Sequence, residues 1–78
     1  MTVTVRYYAK LKEEAGLAQE TVSTKARTVG QLWDETAARH GFTLDRKLIK
    51  AAQADEYCSW DAKLVPGTVV FMPPVAGG

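Results

Sequence analysis

An α+β fold is predicted for this chain, with one main helix packed on one face of a mixed sheet of four to five strands. Three observations carry that prediction. Residues 2–8 alternate between apolar and polar, as a half-buried strand requires. Residues 28–41 place apolar groups at helical spacing between a capping signal and a glycine stop. Residues 68–72 form a short apolar run launched by Pro66–Gly67.

In the first strand Val3, Val5 and Tyr7 share one face and Thr2, Thr4, Arg6 and Tyr8 the other. Lys10–Ala15 has helix formers but only Leu11 and Ala15 as an apolar i,i+4 pair, so a turn or short helical connection ending at Gly16 is expected. Residues 19–24, around Val22, read as a second, edge-like strand completing a hairpin with a long loop. Thr28 and Gln31 form a capping box, in which each side chain satisfies a backbone N–H that the helix cannot. Val29, Leu32, Trp33, Thr36, Ala37 and His40 then recur at helical spacing, and Gly41 sits where the chain leaves the helix.

Leu48–Gln53 and Glu56–Trp60 are expected as two short strands around a turn at Ala54–Asp55. Pro66–Gly67 fits a type II turn, because Pro presets φ at its first central position and Gly accepts positive φ at the second. The following Thr-Val-Val-Phe-Met lacks polar alternation, so the last strand is expected to be central and covered on both faces. Strand, strand, helix, short strands, strand is an order that suits a β-grasp fold.

With 78 residues, the chain makes one domain that buries only about 60 to 65 % of the surface its unfolded form exposes. Ten Lys and Arg against nine Asp and Glu leave a formal charge of +1, without a basic stripe, so nucleic acid is not an expected partner. The single cysteine, Cys58, excludes an internal disulfide and fits a reducing, cytoplasmic setting. The start, MTVTVRYYAK, has neither a signal-peptide nor a transit-peptide pattern, and no apolar run approaches a membrane span. A soluble protein with no membrane partner is expected.

The side chains offer little chemistry. One His and one Cys do not make a metal site. Cys58 reads as a packed thiol, not as half of a dyad with His40. His40, in the last turn of the helix, complements the negative end of the helix dipole. Asp55, Glu56 and Asp61 read as a solvated rim. The isolated glycines assemble no phosphate-cradling loop, so no cofactor is expected on this chain. Trp33 belongs to the core by its helical position, whereas Trp60 is open to either a packing or a partner-anchoring role.

The ending is the unusual feature. Phe71-Met72 is followed by Pro73-Pro74-Val75-Ala76-Gly77-Gly78. This resembles the small, sulfur-carrying subunit of molybdopterin synthase, in the ubiquitin-like MoaD/ThiS group, whose signature is a strand followed by Pro-Pro-Val-x-Gly-Gly. Tyr7-Tyr8-Ala9-Lys10-Leu11-Lys12-Glu13 through Gly16 and the helix start at Thr28–Val29 agree with it. Ala54, where relatives commonly carry Asn, and Thr68, where they commonly carry an acidic residue, depart from it.

The resemblance implies a β-grasp domain over residues 1–72 and an extended Gly-Gly tail over 73–78. In this reading Gly78 is adenylated and then converted to a thiocarboxylate, and Pro73, Pro74, Val75, Ala76 and Gly77 enter a partner. The implied partners are the large catalytic subunit, an E1-like adenylyltransferase that uses ATP, and a sulfur donor protein. The complex would be a heterotetramer in which this chain donates sulfur to cyclic pyranopterin monophosphate and has no side-chain active site. Two alternatives share the tail chemistry: a ubiquitin-like modifier joined to proteins through Gly78, and a sulfur carrier for thiamin or cysteine biosynthesis. Physically, two prolines end strand pairing and hold the exit direction. At about 3.3 Å per residue, six residues reach roughly 20 Å, and glycines would pass a channel that rejects side chains.

Overall fold

The computed structural model describes residues 1–74. The elements run β1 (Thr2–Tyr7), α1 (Ala9–Ala15), β2 (Gln19–Ser23), α2 (Val29–His40), a 3-10 turn (Arg46–Leu48), β3 (Lys50–Gln53), β4 (Glu56–Cys58) and β5 (Gly67–Met72). The five strands form one mixed sheet in the order β2-β1-β5-β3-β4. β1 and β5 are parallel, and the other neighbours are antiparallel. This is the ubiquitin-like β-grasp fold, with two helices.

The pleat sends alternate residues to opposite faces. Val3, Val5 and Tyr7 of β1, Val69 and Phe71 of β5 and Ala51 of β3 are all buried, against Val29, Leu32 and Trp33 of α2 and Leu11 of α1. The Phe71 ring meets Trp33 edge-on at 5.2 Å between centroids, and Trp60 tilts over both. Trp60 is therefore a packing residue, half-buried, with the Arg46 guanidinium 5.3 Å from its ring centroid.

Several boundaries differ from expectation. The Gly16 and Gly41 stops do not differ: the expected short helical connection is α1, closed by Gly16 at φ 77°, and Gly41 at φ 69° closes α2. Only half of the capping box forms as predicted: the Thr28 hydroxyl accepts from Gln31 N–H at 3.1 Å, but the Gln31 side chain accepts from Arg27 N–H at 2.7 Å. The backbone on either side of Thr28 is bridged to the Lys63 segment, with Leu64 N–H donating to Arg27 C=O and Val29 N–H to Ala62 C=O. Leu48 lies in the 3-10 turn, which Asp45 caps through Lys47 N–H, so β3 starts at Lys50. β4 ends at Cys58, because the chain there turns toward Trp60 and its contacts with the helix start. The Ala54–Asp55 turn is present, with both residues at positive φ (54° and 63°).

β5 is central but is not covered on both faces. Val69 and Phe71 are buried, whereas Val70 and Met72 are only half-buried, because no helix among the described residues lies over their side of the sheet. An apolar strand can mean double burial or an apolar open face. Here it means the second. No helix among the described residues is long and apolar enough to cross a membrane.

Candidate functional site

The predicted site begins where β5 ends. Met72 pairs with Lys50 on one side, and on the other the parallel register aligns Phe71 with Tyr7. Pro73 is half-buried and Pro74 exposed, outside any strand. Neither proline has an N–H to offer a neighbouring strand, so pairing stops at Met72 for a covalent reason. Val75, Ala76, Gly77 and Gly78 lie outside the described residues.

The corner beside this exit is built by Tyr8 and Ala9. Tyr8 is 41 % exposed and carries the Arg6 guanidinium 5.5 Å from its ring centroid. Ala9 takes φ 49°, a left-handed backbone that costs a non-glycine residue about 1 kcal/mol or more. That turn sends the chain from β1 directly into α1 and brings Leu11 into the core.

A polar cluster that the sequence did not single out lies between β2 and the end of α2. Glu20 Oε2 accepts from Tyr7 OH at 2.5 Å and from Arg39 at 2.9 Å, and lies 2.5 Å from His40 Nε2. Burial alone would raise the Glu20 carboxyl, but the hydrogen bonds from Tyr7, His40 and Arg39 outweigh it and hold its pKa at about 2. Burial, and then the bond to Glu20 and its charge, push the Tyr7 phenol up. The arrangement is a clamp: it fixes edge strand β2 to the helix. An inward-pointing charge also discourages pairing of that edge with another chain. His40 therefore does more than meet the helix dipole, since its ring also packs on Tyr7 and Phe42. The available signal was Glu20 itself, a carboxylate on the same inward face as Val22. A second clamp joins Glu14 to the N–H and hydroxyl of Thr43, and those two bonds lower the Glu14 pKa.

The remaining candidates hold no reactive constellation. Asp55, Glu56 and Asp61 are exposed. Cys58 is half-buried beside a surface cleft of about 560 Å³ that Lys47, Lys50 and Trp60 also line, and burial raises its thiol pKa, which disfavours the nucleophilic thiolate. Among the described residues no three His, Cys, Asp or Glu side chains could hold a metal ion.

Fold and strand ending together define a ubiquitin-like β-grasp protein whose described side chains form no catalytic centre. A family model, the ThiS family, matches residues 5–78, and the chain belongs to that family. That family groups ThiS-like and MoaD-like proteins of ubiquitin-like fold. Among solved structures it is similar to a Pyrococcus furiosus protein assigned as molybdopterin converting factor, subunit 1, at 29 % identity and TM-score 0.80, covering 96 % of this chain and 99 % of that one. It is similar also to the partner-bound CysO of an Amycolatopsis orientalis BexX/CysO complex, at 26 % identity and TM-score 0.68, covering 97 % and 99 %. SAMP1 of Haloferax volcanii, at 22 % identity, shares the fold over 100 % of both chains with TM-score 0.81. No curated protein matches the sequence.

Proposed function

We propose that this chain is the sulfur carrier subunit of molybdopterin synthase, with the Gly78 carboxyl as its reactive group. The observation that carries the reading is the Pro73–Pro74 stop directly after Met72 on the central strand, within a family match that extends through Gly78. The similarity to the Pyrococcus furiosus subunit supports it.

A carboxylate is a poor electrophile, so sulfur loading needs activation. In this reading a Gly78 carboxylate oxygen attacks the α-phosphorus of ATP on a separate adenylating enzyme, and pyrophosphate leaves. Sulfide-level sulfur from a donor protein then attacks the acyl carbon and expels AMP, leaving a thiocarboxylate. The large subunit accepts the tail beside cyclic pyranopterin monophosphate, and two carriers in succession supply the two dithiolene sulfurs. The β-grasp domain contributes rigidity: strand pairing and the aromatic core fix the point from which the tail departs.

Deleting Gly78 is expected to abolish sulfur transfer while leaving thermal unfolding unchanged. Purified thiocarboxylated chain, mixed with the large subunit and cyclic pyranopterin monophosphate, is expected to yield the dithiolene product. Absence of product with a demonstrably loaded carrier would overturn the molybdopterin assignment and leave a carrier for thiamin or cysteine biosynthesis. A modifier role draws support from the full-length likeness to SAMP1. Isopeptide-linked adducts of Gly78 in cell extracts would establish it.

A further inference from the structure

From the opening between β3 and β4 we infer that this chain carries a nucleotide site of its own: a cleft that takes a nucleoside monophosphate, its phosphate on Lys47 and Lys50 and its base on Tyr57. The site uses none of the tail and stands whether or not Gly78 carries sulfur.

Strand geometry makes the cleft. The β3–β4 ladder runs from Gln53 opposite Glu56 to Ala51 opposite Cys58 and stops there. β3 continues to Lys50, which is paired with Met72 of β5. The other segment is drawn away toward the start of α2, where Trp60 C=O accepts from Gly30 N–H at 2.9 Å and Ala62 C=O from Val29 N–H at 3.0 Å. Between the diverging segments lies a hollow of about 560 Å³, within the size range of small-molecule sites. Ile49 and Ala51, both buried, give it an apolar floor.

Charge selects an anion. Lys47 and Lys50 line the hollow and no carboxylate does, although the whole chain has nine acidic residues against ten basic ones. Among the described residues the ion pairs are those of Glu20 with Arg39 and His40, so neither lysine has a carboxylate partner there. Asp45, close to Lys47 in sequence, caps the 3-10 turn instead. Two ammonium groups and the exposed Ser59 hydroxyl supply donors for the several oxygens of a phosphate. Lysine binds phosphate as a point charge, so no glycine loop is required.

The aromatic wall selects what the phosphate is attached to. Tyr57 lines the same hollow and is 74 % exposed, which leaves its ring open for stacking by a base. Trp60 does not serve in this way, because its ring already meets Arg46 and packs on Phe71 and Trp33. A bare phosphate would leave Tyr57 and the apolar floor uncovered, and an uncharged ring would leave both lysines without a partner. A nucleoside monophosphate satisfies both. AMP, which the sulfur loading proposed above would release, is the probe.

The test is titration of the full, isotopically labelled chain with AMP at low salt, followed by amide and indole NMR shifts. Saturable shifts are expected at residues 47–51 and 57–60 and at the Trp60 indole N–H, with Kd on the order of 1 mM. Inorganic phosphate is expected to bind about threefold or more weakly, because it has no base to stack. K47E/K50E should weaken AMP binding about tenfold or more, and K47R/K50R should stay within about twofold of wild type. Tyr57→Ser should bring AMP and inorganic phosphate to similar affinity. Unchanged shifts away from the cleft in the free variants show that each is folded. No saturable shift below about 20 mM AMP, shifts centred outside the cleft, or K47E/K50E binding like wild type overturns the site. Inorganic phosphate binding as tightly as AMP to the wild type overturns the nucleotide assignment. A chain that binds AMP here but is never loaded with sulfur upholds the site and sinks only the carrier reading.

Discussion

The two faces of the sheet share one set of strands and present opposite surfaces. On the helix side β1, β3 and β5 bury side chains in an aromatic core, β2 and β4 pack Val22 and Cys58 against it, and at its margin the Glu20 carboxylate is engaged by Tyr7, Arg39 and His40. On the other side the same strands present threonines, two cations and half-buried aliphatic groups with no helix over them. The difference teaches where stability resides: in the covered face, whose side chains are buried, and not in the open one. Substitutions on the first should therefore unfold the domain, and substitutions on the second should leave it folded.

The largest effect is expected at Phe71, buried against Trp33 and Trp60. Phe71→Ala should cost about 3–5 kcal/mol in urea unfolding, a large share of the roughly 4–12 kcal/mol a domain of this size has. Retained cooperative unfolding near the wild-type midpoint would break the comparison.

Next comes the Glu20 clamp. Glu20→Gln should lose about 1–2 kcal/mol at neutral pH, because charge-assisted bonds from Arg39 and His40 are weakened. The sign of the pH dependence follows from the depressed carboxyl: a folded pKa of about 2 lies below the unfolded value of about 4.3, so the clamp's contribution is complete above that unfolded value and is lost as pH falls toward 2. Acid titration of stability in the wild type should show this loss, and the Glu20→Gln variant should show correspondingly less.

A smaller effect, of opposite sign, is expected at the β3–β4 turn. Ala54 occupies φ 54° without the side chain that eases it, so Ala54→Asn should raise the unfolding midpoint by the equivalent of about 0.5–1 kcal/mol. The smallest change in stability is expected for Tyr57→Ser on the open face, within about 0.5 kcal/mol by thermal unfolding. A large stability loss there would erase the distinction between the faces.

Much of the fold was legible because single residues encode it locally. Thr28, Gly41 and the spacing of Leu32, Trp33 and Thr36 marked α2, and the alternation of Val3, Val5 and Tyr7 marked β1. The apolar run at residues 68–72 marked a central strand, but not which of its faces is covered, because that depends on how many helices the chain possesses and not on the strand. The Glu20 clamp was illegible for a related reason: Tyr7, Glu20 and His40 come from three elements and meet only once the sheet and α2 have packed. The reading of the tail rests on resemblance, since Gly77 and Gly78 carry no side-chain pattern for periodicity to read, and it lies outside the described residues.

The central claim concerns the Gly78 carboxyl, and intact-mass spectrometry of the full chain tests it most directly. After incubation with its adenylating enzyme, ATP and a sulfur donor, the account predicts a species in which one oxygen is replaced by sulfur, localised to Gly78 by fragmentation and absent when ATP is withheld. A mass that stays unchanged while the same enzyme and donor load a known carrier in a parallel reaction would contradict it.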